Sequence, residues 1–228
     1  KPLARFMPGS SILSIGSYGC NMRCAFCQNA SIAQACSAAE VPWRFMEPET
    51  IADTAAAFAS QGNVGVAYTY NEPLVGFEFV RDCSQAVHAR GQVNVLVSNG
   101  QVNDAPLSEL LPLIDAANID LKGFTAEVYR ELGGSLATTI HTIEAFAGCA
   151  TAHLEVTMLI VPGLNDSREQ LVEAARWLAG LDRGIPLHIT RFFPCYKMLN
   201  AEPTPVETIY SFANEARSYL DFVTCGNC

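Results

Sequence analysis

Three cysteines lie within eight residues of one another, in the segment 20–27 (CNMRCAFC). Their spacing is C-x3-C-x2-C, and thiolates are the usual protein ligands of iron–sulfur clusters. A [4Fe–4S] cluster has four irons, so three cysteines leave one iron free to bind a substrate or cofactor directly. The motif therefore predicts a [4Fe–4S] cluster held by Cys20, Cys24 and Cys27. Zinc is the main alternative, although structural zinc sites usually have four protein ligands.

A second pair of cysteines, Cys225 and Cys228, ends the sequence with C-x2-C spacing. Such a pair can bind zinc, help to hold a second cluster or act as a redox pair. Two ligands do not complete a metal site, so Cys36, Cys195 or a second chain would have to join them. A free tail without a ligand is the remaining alternative.

Short β-rich runs alternate with helical patterns, and these elements must position the cysteines. Each predicted strand is rich in Val, Ile, Leu or Thr and is bounded by Gly, Pro or Asn. Residues 165–167 (NDS) predict an N-terminal cap for a helix that begins at Arg168. The predicted strands are 12–17, 64–70, 93–97, 118–122, 154–161 and 187–192. The predicted helices are 48–60, 77–89, 107–114, 126–132 with 138–147, 168–181 and 206–219.

Strands that alternate with helices predict βα units and a parallel sheet. Six such units fit 228 residues better than a full eightfold barrel, which takes about 250 residues. The predicted fold class is therefore α/β, with an open, partial (β/α)6 TIM-like barrel. An open doubly wound sheet is the alternative. In either fold we expect the chemistry at the carboxyl ends of the strands.

Length and composition predict a single domain over residues 1–228, with a short cysteine-containing tail at about 220–228. The net charge is −9 and there is no basic run, so nucleic acid is not expected as a partner. No apolar run approaches the roughly 20 residues of a membrane span. Nine cysteines fit metal ligation in a reducing compartment better than a disulfide framework. We therefore expect a cytoplasmic protein from an anaerobic or oxygen-protected setting. The sequence does not decide whether a leader precedes Lys1.

Polar residues gather at the ends of the predicted strands where chemistry is expected. Because the carboxyl ends of parallel strands meet on one side of a sheet, these residues are expected to form one site. Asp120 and Lys122 are two apart on a strand, so both side chains can face the same side. In chain order the candidates are the cysteine segment, Glu72, the pair Ser98 and Asn99, the pair Asp120 and Lys122, and His188.

The cysteine segment, with Phe26 before its last cysteine, resembles the signature of the radical S-adenosylmethionine (SAM) superfamily. Within that superfamily the chain looks most like the radical SAM proteins of the AmmeMemoRadiSam system. It is more distantly similar to pyruvate formate-lyase activating enzymes. The resemblance covers nearly the whole chain and runs through Lys1-Pro2-Leu3 and the segments 69–73 (TYNEP), 118–122 (NIDLK), 129–134 (YRELGG), 160–166 (IVPGLND) and 187–192 (LHITRF).

The resemblance implies which residues meet the adenosine part of SAM. The main chain near Phe26 matches the segment that contacts the adenine of SAM. Ser98 and Asn99 match a polar pair near the ribose and the carboxylate. His188 matches a histidine beside the adenosine.

The resemblance also implies which residues bind the amino acid part of SAM. Glu72 stands where a glutamate receives the amino group. Asp120 and Lys122 match an aspartate and a lysine that hold the carboxylate, in activases with help from a monovalent cation. These charges suit the groups, because a carboxylate attracts an ammonium and a lysine attracts a carboxylate.

The implied function is that of an enzyme that reductively cleaves SAM at the cluster to methionine and a 5′-deoxyadenosyl radical. The radical would remove hydrogen from a substrate, and a flavodoxin or ferredoxin would supply the electron. Six βα units leave a lateral opening that can admit a peptide loop, so a protein or peptide substrate is expected by analogy with activases. The same chemistry on a small molecule is an alternative. A non-catalytic iron–sulfur electron carrier or sensor is the alternative of another class, and a zinc-binding interaction module is a third.

The chain departs from the family pattern in two places. The superfamily often has Gly-Gly-Glu where this chain has Tyr70-Asn71-Glu72, so the glutamate is kept and two glycines are replaced. At Cys195 the pattern predicts an acidic residue instead.

Overall fold

A computed structural model describes residues 3–228, so the Lys1-Pro2 part of the N-terminal motif lies outside the described residues. Within them, seven strands form one sheet in sequential order, and every neighbouring pair is parallel. A doubly wound sheet would reverse its strand order, and this one does not. The strands are β1 (Ser11–Ile15), β2 (Asn63–Tyr68), β3 (Val93–Ser98), β4 (Ala116–Asp120), β5 (His153–Ile160), β6 (Leu187–Arg191) and β7 (Val223–Gly226).

Helices follow the strands, as βα units require. The predicted cap at residues 165–167 is confirmed, because the Ser167 side chain accepts a hydrogen bond from the backbone N–H of Gln170. Each predicted helix overlaps an observed one. The α-helices in the described part of the chain are α1 (Ala30–Ala33), α2 (Pro48–Ala57), α3 (Phe77–His88), α4 (Asp104–Leu110), α5 (Ala126–Glu131), α6 (Leu136–Ala147), α7 (Arg168–Leu181) and α8 (Val206–Ala216).

The sheet has a seventh strand that the prediction of six units did not include. Residues 223–226, predicted as part of a tail, form β7, whose Thr224 pairs in register with His188 on β6. The backbone N–H of Leu187 donates to the carbonyl of Phe222, and Leu220 is buried. The cysteine-containing end of the chain is therefore part of the sheet.

The two faces of the sheet have different coverings. One face packs under the helices in a large apolar cluster that includes Leu96, Ile119 and Val156 from the strands and Ile143 and Leu178 from the helices. Burying such a side chain contributes about 1.5–3 kcal/mol. Alternate residues point to the opposite face, which is the inside of the partial barrel. Strands β1 and β7 end the sheet without pairing with each other, so the barrel stays open between them.

The N-terminal segment covers part of the inner face. Leu3 packs with Ala67, Val95 and Ala116, and Phe6 packs against this smaller cluster. Ala116 begins β4, so the segment lies toward the amino ends of the strands. The carboxyl ends remain available for a site. No helix within residues 3–228 has the length and apolar character needed to cross a membrane.

Candidate active site

The cysteine segment lies between β1 and α1, at the carboxyl end of the sheet. The backbone N–H of Arg23 donates to the carbonyl of Leu132 over 2.7 Å, which ties the segment to the end of α5. The side chains of Met22 and Phe26 are buried. Gly134 packs closely on Met22, since a Cβ atom added there would lie 2.8 Å from Cε of Met22 and would make the end of that side chain shift. The segment is therefore anchored by its non-cysteine residues, which leaves the thiols free.

All three predicted cysteine ligands line one cavity of about 190 Å³. Side chains from the ends of four strands line the same space, as the sequence predicts for a site at the carboxyl ends. Besides Cys20, Cys24 and Cys27, the cavity is lined by Phe26, Tyr70, Glu72, Asn99, Asp120, Lys122, Thr157 and Leu159, among others.

Glu72 is a buried carboxylate with three hydrogen-bond donors, and it is 3% exposed. Its Oε1 accepts from the N–H of Leu74 at 3.1 Å and the hydroxyl of Ser98 at 2.8 Å, and its Oε2 accepts from the N–H of Asn99 at 2.8 Å. A carboxylate has about four lone-pair sites, so one acceptor position is left for a donor in the cavity. Burial raises the pKa of Glu72 to about 7, even though these hydrogen bonds act in the opposite direction. A positively charged hydrogen-bond donor would fill the remaining acceptor position of the Glu72 carboxylate.

Asp120 and Lys122 share one face of the β4 end, as their spacing predicts. Lys122 Nζ lies 2.9 Å from Asp120 Oδ2, and both residues line the cavity. Burial alone would lower the pKa of Lys122, but the negative charges of Asp120 and Cys24 raise it above its ordinary value. The lysine is therefore a fixed positive charge beside the cysteines.

Ser98 and Asn99 act mainly on their neighbours in the site. Both donate to Glu72, and the Asn99 side-chain amide also donates to Oδ1 of Asn21 at 2.8 Å. The same amide lies 3.6 Å from Sγ of Cys20. The pair therefore joins the β3 end to both Glu72 and the cysteine segment.

The donor set fits a cube-type cluster with an open iron. Burial is the main cause of the raised pKa values of the Cys20 and Cys24 thiols, and the charge of Lys122 partly offsets it. Binding to iron would replace these thiol protons. No three His, Cys, Asp or Glu side chains within residues 3–228 converge closely enough to hold a single metal ion. A cube does not need that convergence, because each cysteine binds a different iron.

His188 lies inside the barrel but outside this cavity. Its Nε2 donates to Glu155, and its Nδ1 lies 2.6 Å from the hydroxyl oxygen of Thr224. Glu155 is fully buried, and it also accepts from His153 and from the backbone N–H groups of Ala4 and Arg5. Burial alone would raise the pKa of Glu155, but these hydrogen bonds lower it. His188 therefore belongs to a network that fastens the N-terminal segment.

Replacing Glu155 with glutamine should lower the free energy of unfolding by roughly 2–5 kcal/mol, because four donors lose their charged acceptor. Urea unfolding near neutral pH measures this, with Glu131→Gln on the exposed end of α5 as the matched control. If Glu155→Gln keeps wild-type stability and loses affinity for SAM, the network serves the ligand and not the fold.

Cys225 and Cys228 are separated by the end of β7. Cys225 packs partly against the large apolar cluster, whereas Cys228 is exposed beyond the strand. Both are free thiols, and no third His, Cys, Asp or Glu in the described chain joins them as a metal ligand. A second metal site or redox pair at these cysteines stays a prediction.

Two residues of the site were not singled out from the sequence. Thr157 on β5 lines the cavity and exchanges hydrogen bonds with Asn118 at 2.9 and 3.0 Å. Asn165 donates to the carbonyls of Lys122 and Leu159, at 2.9 and 2.8 Å, so it joins the ends of β4 and β5. From the sequence, Asn165 was assigned to a helix cap and to the family-like segment 160–166, without a role in the site. Its hydrogen bond to Lys122 spans 43 residues of the chain, and no local pattern indicates it.

Comparisons with known proteins agree with this geometry. A family model for the Radical SAM superfamily matches residues 14–178. An uncharacterized protein of Methanocaldococcus jannaschii is 37% identical over 229 residues, which cover 100% of this chain and 67% of that protein. The pyruvate formate-lyase 1-activating enzyme of Escherichia coli strain K12 is 28% identical over 172 residues, which cover 72% of this chain and 68% of that enzyme.

A solved protein has the same fold at low sequence identity. Streptococcus suis SuiB bound to precursor peptide SuiA superposes with a TM-score of 0.73 at 14% identity, covering 93% of this chain and 48% of SuiB. SuiB bound to S-adenosylmethionine gives a TM-score of 0.72 at 15% identity, covering 96% of this chain and 51% of SuiB. This chain thus spans about half the length of SuiB.

The family match extends over more than half of the chain and includes the cysteine segment. The chain belongs to the radical SAM superfamily, and its parallel α/β sheet is the partial barrel of its structural neighbours. The predicted similarity to pyruvate formate-lyase activating enzymes is confirmed at the level of a distant relative.

Proposed function

We propose that this radical SAM enzyme holds a [4Fe–4S] cluster through Cys20, Cys24 and Cys27 and binds SAM in the same cavity. When bound, the two groups supply reductive cleavage of SAM to methionine and a 5′-deoxyadenosyl radical, which abstracts hydrogen from a substrate. One observation carries the proposal: three free thiols, a buried carboxylate and a half-buried lysine line one space at the carboxyl end of the barrel.

Different charged residues bind the two charged groups in the amino acid part of SAM. Glu72 has one acceptor position left, and it receives the ammonium group. Lys122 attracts the carboxylate while Asp120 holds the lysine in place. The second carboxylate oxygen of Asp120 accepts no hydrogen bond within residues 3–228, so it is the position for a monovalent cation.

The neighbouring polar residues position this machinery. Ser98 and Asn99 orient Glu72 through the hydrogen bonds already described. The carbonyl of Phe26 accepts from Cys195 Sγ at 3.2 Å, which steadies the main chain that would meet the adenine. His188 is not among the residues that we propose to touch SAM, because its ring nitrogens are taken up by Glu155 and Thr224.

A protein or peptide is the proposed substrate, and a flavodoxin or ferredoxin is the proposed electron donor. Three observations support the substrate class. The relative from Escherichia coli is named as an activating enzyme of pyruvate formate-lyase, and SuiB was solved with a precursor peptide. The barrel is open between β1 and β7, so a peptide loop can reach the cavity from the side.

Electron paramagnetic resonance (EPR) of the anaerobically reconstituted and reduced protein tests the proposal. SAM should change the cluster signal, because Glu72 and Lys122 would bind its amino acid group in the cavity that the cluster cysteines line. A [4Fe–4S] signal that is the same with and without SAM would favour an electron carrier or sensor. Zinc bound in place of iron would favour an interaction module.

A further inference from the structure

A second cavity of about 290 Å³ lies on the inner face of the sheet, between β1, β2, β3 and the N-terminal segment. Its lining is mostly apolar, with hydroxyl-bearing residues at Ser10, Ser14, Thr69 and Tyr70, and no charged side chain of the described chain lines it. The main lining residues are Leu3, Phe6, Ile12, Ala67, Val95 and Val97. Burying a charge without a partner is costly, so this cavity selects an uncharged apolar group.

The size of the cavity sets what it can hold. A dry cavity of about 150 Å³ is enough to bind benzene. The larger volume here accommodates an aromatic ring or a branched aliphatic chain. The Thr69 hydroxyl lines the wall and forms no hydrogen bond within residues 3–228, so it is available to a polar atom next to such a group.

Tyr70 borders both this apolar cavity and the cofactor cavity, the space of about 190 Å³ that the three cysteines line, and its side chain is about half exposed. Its backbone is in the left-handed region at φ 74°, which is unfavourable for a bulky side chain. Such a residue persists only when its surroundings hold it, and this arrangement is frequent at functional sites.

Two contacts hold Tyr70 at this boundary. The side-chain amide of Asn29, two residues after Cys27, donates to the Tyr70 carbonyl at 2.7 Å. The ring lies against Gly16 at the end of β1, where an added Cβ would be 3.1 Å from Cδ2 of Tyr70. The segment that follows the cysteines thus holds the backbone of Tyr70, and its ring packs against the end of the first strand.

We propose that the apolar cavity receives an aromatic or branched aliphatic group of the substrate and that Tyr70 sets how that group meets the cofactor cavity. This proposal rests on the proposed function, which assigns the neighbouring cavity to the cluster and SAM. The group can arrive on a free small molecule or on a peptide side chain, since both present the same apolar surface.

Toluene is the probe for the cavity, measured by methyl NMR on the full chain before and after cluster reconstitution. We expect saturable shift changes at the methyl groups of Leu3, Val95 and Val97. Val97→Phe fills the space and should weaken binding at least tenfold, whereas Val172→Phe, the same change on the outer helix α7, should leave it unchanged. If Val97→Phe does not fold, Ser14→Phe fills the cavity from the exposed wall of β1.

The absence of saturable toluene binding, or unchanged affinity in a folded filling variant, would overturn the proposal. Because binding is also measured without the cluster, this result is independent of whether SAM is cleaved. A short peptide with one central Phe, compared with the same peptide carrying Ser, distinguishes the two sources. Competition with toluene by the Phe peptide alone assigns the cavity to a peptide side chain. Toluene binding without competition by either peptide assigns it to a small molecule.

Tyr70→Gly tests the boundary. Glycine accepts the left-handed backbone without strain, so the melting temperature should not fall. Toluene affinity should fall at least fivefold, because the tyrosine side chain no longer lines the apolar cavity. Unchanged affinity in this variant would overturn the role of Tyr70.

Discussion

Replacing Cys24 with alanine should abolish the iron–sulfur cluster of the anaerobically reconstituted protein. Cys24 is the most buried of the three thiols in the cavity, and a [4Fe–4S] cluster with two cysteine ligands would leave two irons without protein ligands. Iron and sulfide content, together with the EPR spectrum, measure the effect. Cys36→Ala is the matched control, because Cys36 is exposed and does not line the cavity. A normal iron content and spectrum in Cys24→Ala would remove this residue from the ligand set.

Glu72→Gln should weaken SAM binding by roughly tenfold to a hundredfold. The carboxylate has one acceptor position left, and a hydrogen bond to a charged group contributes about 1.5–3 kcal/mol. Equilibrium binding of SAM to the cluster-loaded protein measures the loss. Glu78→Gln, at an exposed position in the first turn of α3, is the control. If Glu72→Gln binds SAM as the wild type does, Glu72 serves the fold.

The same residue predicts a pH dependence. Burial raises the pKa of Glu72 to about 7, so below that pH the group is mostly protonated and a poor acceptor for an ammonium. SAM affinity of the wild type should therefore rise from about pH 6 to about pH 8, by at most about tenfold per unit for one proton. Glu72→Gln should lack this rise.

The sequence predicts most of the strands and helices because their periods are regular and their ends carry turn or cap residues. Helix α7 begins and ends where predicted, with Ser167 as its cap. Strand β7 was missed because it has only four residues, one of them glycine. The C-x2-C spacing of Cys225 and Cys228 also favoured a metal-binding tail over a strand. The position of β7 depends on pairing with β6 and not on its own pattern.

Much of the candidate site also follows from the sequence, because parallel strands bring their ends together. The cysteines, Glu72, Asp120 and Lys122 line one cavity for that reason. The buried network of Glu155 and His188 was not predicted, since it depends on the path of the N-terminal segment across the inner face. One signal was present: Glu155 is a carboxylate within a mostly apolar strand, and a buried carboxylate needs partners.

The yield of 5′-deoxyadenosine tests directly whether this protein cleaves SAM at a cluster bound by its cysteines. Reconstituted protein, a reductant and SAM are incubated without oxygen, and 5′-deoxyadenosine and methionine are quantified against the Cys20→Ala variant. We expect both products from the wild type, slowly without substrate and faster with it, and neither from the variant. Equal yields from the two proteins would contradict the account, and so would methylthioadenosine as the cluster-dependent product, because a different carbon–sulfur bond would then be cleaved.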